Sequence, residues 1–348
     1  MRVAIQLAAE QAPWDQLVTY VCEAERLGAE MCWVAEAWGC DAATPIGFLA
    51  ARTERMHFGS GIMQLGARTP AMTAMTALTL ARISGDRYCL GLGASGPQVM
   101  EGLHGIRHGA ALGRMRETVE IIRLALAGER IEHRGTHFPL PLPGGEGRAL
   151  RLSQPANPGI PIYLATLSPR MLELTGEVAD GWLGTSFVPE AAAASLEPLA
   201  AGAARSGRTL ADLDICQGAE VAFGDDVEAM VARRKPGLAF SLGGMGSATT
   251  NYYARAYARQ GWADAATEVQ RLWLEGRREE AAARVPDEMV LATTLIGTEA
   301  MVRERLRRWS AAGVTTVRLY PAGETLDARL ATLGRAIEMI REIAVSHR

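Results

Sequence analysis

The chain has 348 residues, a formal net charge of −3 and 48% hydrophobic residues, an ordinary globular composition with enough length to bury a core without staples. Near-balanced charge without like-charge blocks argues against a nucleic-acid or membrane-surface partner and leaves a small-molecule ligand as the expected one. The five cysteines, Cys22, Cys32, Cys40, Cys89 and Cys216, form no C-x-x-C pair, which argues against a zinc knuckle or redox dithiol and fits free thiols in a reducing cytoplasm.

The N-terminus enters directly on a strand-like run, Val3 to Leu7, with no secretory leader and no apolar stretch of membrane-spanning length, so neither secretion nor membrane insertion is predicted. Trp14 to Leu27 reads as a helix with Leu17, Tyr20, Val21 and Ala24 on one face, closed by Gly28. Met31–Ala35 is the second strand, and Thr44 to Thr53 its helix, with Pro45 just inside the start. Met56 to Gln64 is a glycine-rich third strand, Pro70 to Ile83 a helix, Tyr88–Gly93 the fourth strand and Arg114 to Ala127 an amphipathic helix. A Pro- and Gly-rich stretch at about 128–160 is too long for a simple connection and reads as an insertion, part of it a hairpin. Alternation resumes with strand Ile162–Thr166, helix Pro169–Ala179, strand Gly181–Thr185, helix Glu190–Ser206 and strand Ile215–Phe223. A second insertion at about 238–290 is helical and rich in Tyr and Trp; helix Ala300–Ala312, strand Val314–Tyr320 and helix Leu326–Val345 finish the chain. Eight strands alternating with helices predict a (β/α)8 TIM barrel with insertions, one domain over 1–348: the barrel accounts for about 250 residues, and the two insertions for the remaining hundred or so.

Active sites of such barrels lie at the carboxyl ends of the strands. That rule selects Glu36, Ala37 and Trp38 after the second strand, and Gly61, Ile62, Met63, Gln64 and Arg68 after the third. It also selects Ala94–Gln98, Glu101 and His104 after the fourth, and Thr166, Leu167 and Ser168 after the fifth. The run Gly91-Leu92-Gly93-Ala94-Ser95-Gly96 matches G-x-G-x-x-G, but at a fourth strand, where backbone approach to a flat cofactor explains it better than a dinucleotide fold. Gly59 and Gly61 mark a bulge or a wall for a ring system. Glu36 at the barrel mouth is a candidate acid or base if buried beside Trp38. Ser168-Pro169 opens a helix, a place for simple capping or for an anion. His133 and His137 lie outside any convincing helix, no metal-ligand grouping appears, and no G-x-S-x-G elbow supports a hydrolase.

Several stretches together resemble the luciferase-like monooxygenase superfamily, and within it the branch that uses coenzyme F420. They are Trp33–Gly39, Ala67–Thr76, Gly91–Val99 with Glu101-Gly102 and His104-Gly105, and Ala179–Trp182, and the resemblance covers nearly the whole chain. The Gly-Ala-Ser-Gly-Pro-Gln-Val run points to the branch, and Ala-Asp-Gly-Trp only to the wider superfamily. The resemblance implies a cytoplasmic, homodimeric barrel oxidoreductase with a deazaflavin ring at the barrel mouth and a non-proline cis peptide at Gly61-Ile62. It implies a cofactor cradle from Glu36, Ala37, Gly61, Ile62, Met63, Gly93, Ala94, Ser95, Gly96, Gln98, Val99, Thr166, Leu167 and Ser168. Glu36 is the expected proton-handling group with His104 in reserve, and Trp38, Arg68 and the second insertion are expected to shape the substrate pocket. Sugar-phosphate and alcohol dehydrogenases of the branch carry Asp-His where Glu36-Ala37 stands here, so a histidine base is missing at that point and a phosphosugar substrate is disfavoured. An FMN-dependent monooxygenase on the same fold and a non-catalytic flavin or deazaflavin binder are the alternatives.

Overall fold

The computed structural model describes residues 1–345; residues 346–348, the end of the expected 1–348 unit, lie outside the described residues. Eight parallel strands follow in chain order: β1 (Arg2–Leu7), β2 (Met31–Val34), β3 (His57–Ser60), β4 (Tyr88–Gly93), β5 (Ile162–Ala165), β6 (Gly181–Gly184), β7 (Asp214–Phe223) and β8 (Thr316–Pro321). Each pairs with the next, and β8 returns to β1 with Val317 opposite Val3, so the sheet closes into a barrel. The third expected strand is interrupted at Gly61-Ile62 and resumes as the two-residue piece Met63–Gln64 against β4.

The helices α1 (Trp14–Leu27), α2 (Ala43–Ala50), α3 (Pro70–Ser84), α4 (Ala111–Leu126), α5 (Pro169–Val178) and α6 (Ala193–Arg205) surround the barrel. The amphipathic face read from α1 is the buried one, and Gly28 closes it in the left-handed conformation at φ 106°. Alternation along the strands builds two cores. Val3, Ile5 and Leu7 of β1 point to the helix layer, while Ala4, Met31, Trp33, Cys89, Tyr163, Leu183 and Cys216 fill the barrel. Trp33 packs edge-on to Tyr163 with ring centroids 4.9 Å apart. Burial pushes the Cys89 and Cys216 thiols up to about 12, which keeps these interior thiols protonated and inert. At the amino end of the barrel, Asp214 binds Arg2 at 2.6 Å, the Tyr163 hydroxyl at 2.9 Å and the Thr316 hydroxyl at 2.7 Å.

The segment at 128–160 carries the expected hairpin, His133–Arg134 against Pro139–Leu140. It is tied to α4 by Glu117, whose carboxylate accepts the backbone N–H groups of Thr136, His137 and Phe138 at 2.8 to 2.9 Å.

After β7 come α7 (Val227–Gly243), α8 (Tyr252–Tyr257), α9 (Ala263–Leu274), α10 (Arg278–Ala283) and α11 (Asp287–Thr293). The expected insertion at 238–290 takes in the end of α7 and all of α8 to α10. Leu238 and Leu242 of α7 pack with Val269 and Leu272 of α9 and with Met289 and Val290 of α11 in a core of their own, so this helical unit begins at Val227. A short strand, Leu295–Gly297, then rejoins β7, and α12 (Glu299–Ala311) and α13 (Leu326–Val345) complete the outer ring. Among the described residues, no helix is long and apolar enough to cross a membrane.

Candidate active site

A cavity of about 790 Å³ opens at the carboxyl ends of the strands. One wall is Gly61, Ile62 and Gln64 beyond β3; the facing segment is Gly93, Ala94, Ser95 and Gly96 beyond β4, continued by Gln98 and Val99. Ala165, Thr166, Leu167 and Ser168 beyond β5 form the far side, and Ala37 and Trp38 the rim beyond β2. Met245, Tyr252 and Tyr253 of the helical unit after β7 cover it from above.

Glycine is required where β3 and β4 meet. A Cβ on Gly91 would lie 1.9 Å from the Ser60 carbonyl oxygen, and one on Gly93 would lie 2.7 Å from Ile62 Cδ1. Ser60 Oγ bridges the gap, accepting from Gly91 N–H and donating to its carbonyl, both at 2.9 Å. The peptide Gly61-Ile62 is cis, as the resemblance implied. Two non-glycine residues of the cavity lining hold left-handed backbone, Ala37 at φ 41° and Ser95 at φ 58°. Such conformations persist where surrounding structure enforces them and gather at ligand sites.

Two polar groups are left open to a ligand. Gln64 is 3% exposed; its amide nitrogen donates to the Ala37 carbonyl, and its Oε1 is buried with no partner. Ser168 precedes α5 in extended backbone without capping it, so its hydroxyl is not spent on the helix, and Arg170 of the first turn also lines the cavity. Gln98 Nε2 donates to the Gly246 carbonyl at 2.7 Å, which ties the β4 segment to the cover.

Four expected site residues stand elsewhere. Met63 is 1% exposed and faces the helix layer, because strand alternation turns it away from the side taken by Ile62 and Gln64. His104, at the end of a π-helical turn over Gln98–Leu103, is exposed and does not line the cavity. Glu36 and Arg68 lie behind the rim and hold each other: Arg68 Nη1 donates to both carboxylate oxygens at 2.8 Å, and Ala42 N–H to one at 3.1 Å. Glu36 is 8% exposed, while Trp38 stands 62% exposed. Burial disfavours the Arg68 charge, but the hydrogen bond and charge of Glu36 outweigh it and hold Arg68 above its ordinary pKa. Of the lining residues, Leu103, Leu112, Arg170, Met171 and Met245 had no strand-end signal; the tyrosine pair of the second insertion was the one available hint for the cover.

An (β/α)8 barrel with a covered cavity at the carboxyl-end mouth has the construction of a barrel enzyme. The chain belongs to the luciferase-like monooxygenase family, whose profile matches residues 1–316. It is 41% identical over 338 residues to a Mycobacterium tuberculosis protein named "Putative coenzyme F420-dependent oxidoreductase", covering 94% of this chain and 97% of the relative. It is 29% identical over 319 residues to the 5,10-methylenetetrahydromethanopterin reductase of Archaeoglobus fulgidus, covering 91% and 92%. Among solved structures, the coenzyme F420-dependent tetrahydromethanopterin reductase of Methanopyrus kandleri has the same fold, with TM-score 0.79 at 22% identity over 99% of both chains. An F420-dependent secondary alcohol dehydrogenase superposes with TM-score 0.78 at 16% identity over 98% of this chain and 99% of that one.

Proposed function

We propose that the chain is an F420-dependent oxidoreductase that moves a hydride between the deazaflavin and a small organic substrate with a C=C, C=N or C=O group, or the corresponding alcohol. The observation that carries this reading is the cavity wall formed by Gly61-Ile62 and Gly93–Gly96, where small residues let the backbone come close to a flat ring and Ile62 lies over Gly93. The 41% identity to a protein named for F420 selects the deazaflavin over FMN.

The residues present suit such a group. Ile62 and Ala94 offer apolar surface, Gln64 Oε1 an unused acceptor for a ring N–H, and Ser168, Arg170 and the first turn of α5 a setting for an anionic tail. When bound, a deazaflavin supplies two-electron hydride chemistry at the carbon standing where a flavin has N5. The chain's part is to hold the substrate carbon close, about 3–3.5 Å from that carbon, and to exclude water under Met245, Tyr252 and Tyr253. Glu36, locked to Arg68, positions the Ala37–Trp38 rim, and we assign no proton-transfer role to His104.

We place the enzyme in the cytoplasm as a homodimer. The dimer reading rests on the outer face of α2 and α3, where Phe48, Met72, Met75 and Ile83 stand between 40% and 56% exposed. Fluorescence titration of the purified protein with F420 and with FMN tests the cofactor. Saturable binding of F420 with turnover of the reduced form on enones or imines is expected. Binding of FMN alone would make the protein an FMN monooxygenase, and F420 binding without turnover on any acceptor a carrier.

A further inference from the structure

A second cavity, of about 320 Å³, lies where the carboxyl ends of β1 and β8 meet helices α1 and α13. It shares no lining residue with the cavity of the candidate active site.

Arg329, in the first turn of α13, lines this second cavity and is half-buried. Its Nε is buried without a hydrogen-bond partner. Among the described residues no carboxylate pairs with its guanidinium and no acceptor takes a hydrogen bond from it. The other arginines of α13 are engaged: Arg335 reaches Glu299 at 2.7 Å, and Arg341 donates to the Leu27 carbonyl at 3.1 Å. A guanidinium carries five N–H donors in a fixed fork, and leaving them unmet beside a buried surface is costly.

Tyr20 of α1 lines the same cavity and is 8% exposed, and among the described residues nothing hydrogen-bonds to its hydroxyl. The side-chain amides of Gln11 and Gln16 line it as well, equally without partners among the described residues. The carboxylate in the lining, Glu220, is neutralised by Arg234 at 3.4 Å. Arg329 is therefore the unbalanced charge of the cavity, set among hydrogen-bonding groups that have nothing to bind.

We infer that this cavity is a binding site for a small, singly charged carboxylate that carries hydroxyl groups. The site is separate from that of the proposed redox chemistry and does not depend on the cofactor reading. The planar fork of Arg329 matches a carboxylate. Tyr20 and the two glutamine amides match hydroxyl groups, and Glu220 in the lining disfavours a second negative charge. The volume, at the small end of ligand pockets, suits an acid of a few carbons.

The test is calorimetric titration of the purified chain, without F420, with lactate and glycerate, with their neutral amides and with inorganic phosphate. At least one of the two acids should bind about tenfold or more tighter than its amide, and tighter than phosphate. Arg329→Gln should abolish that preference with the unfolding midpoint unchanged, and Tyr20→Phe should weaken it. Arg170→Gln, in the other cavity, should leave it intact. Equal binding of acid and amide by the wild type overturns the inference even if no variant folds. So does a preference that survives Arg329→Gln, tighter binding of phosphate than of either acid, or a loss in Arg170→Gln, which would place the anion in the candidate active site.

Discussion

Arg68 and Glu36 are joined by two hydrogen bonds of 2.8 Å from a single guanidinium nitrogen, across 32 residues of sequence, with the carboxylate 8% exposed and the arginine side chain 18%. The pair links the loop beyond β2 to the loop beyond β3, the two loops that carry the cavity rim and its cis-peptide wall. A carboxylate held in this way braces the site.

Removing one partner of such a pair strands the other. Glu36→Gln or Arg68→Met should each destabilise the protein by about 3 kcal/mol, seen as a lowered unfolding midpoint in urea. The double variant should recover part of that loss. Additive losses in the double variant would show that the two groups act independently.

The glycines between β3 and β4 should separate folding from binding. Gly91→Ala drives a methyl into the Ser60 carbonyl and should cost about 3 kcal/mol of stability. Gly93→Ala meets the Ile62 side chain, Cδ1 at 2.7 Å and Cγ1 at 2.8 Å, and no backbone atom, and should push that side chain into the cavity. F420 affinity should then fall about tenfold, equivalent to about 1.4 kcal/mol, with the unfolding midpoint little changed. Undiminished affinity would place the ring elsewhere.

The hairpin at 128–160 should be held within a pH window. Burial works against the Glu117 carboxylate, but the three backbone N–H groups of Phe138, His137 and Thr136 outweigh it and hold its pKa below the ordinary value. Its contribution is therefore present above the unfolded value of about 4.3 and is lost as pH falls through the lowered folded value. Burial works against the charged form of His133 too, yet the Glu120 carboxylate and the Phe138 carbonyl raise its pKa. Its contribution is present below the unfolded value of about 6.5 and is lost as pH rises through the raised folded value. Hydrogen-exchange protection of the hairpin should fall at both ends, and Glu117→Gln should abolish the acid limb. Protection that tracks global unfolding at every pH would remove the local account.

The α2–α3 face gives a fourth test. Met75→Glu and Ile83→Glu add charges to an exposed apolar surface, so they should leave the fold intact and convert a dimer to a monomer by light scattering. A wild-type monomer would remove the dimer from the proposal.

The barrel was legible because its signals are local. Period-two strands, amphipathic helices and capping residues such as Gly28 follow from backbone geometry, and α1 begins and ends where its pattern does. The strand-end rule found Ala37, Gly61, Ile62, Ser95 and Thr166 at the cavity for the same reason. Met63 stands apart from the cavity because a list of loop residues does not carry the face each one takes.

The sequence by itself determined that eight βα units follow one another, that the chain is interrupted twice, and that glycine-rich strand ends gather at one mouth. Only the tertiary structure decided that Glu36 is committed to Arg68, that His104 faces solvent, that α7 belongs with the helices after it, and that Arg329 lines a second cavity with no carboxylate partner among the described residues. The physical reason is that hydrophobic periodicity is written within a few neighbouring residues. Charge pairing and burial depend instead on which distant segments the closed barrel brings within a few ångströms of each other.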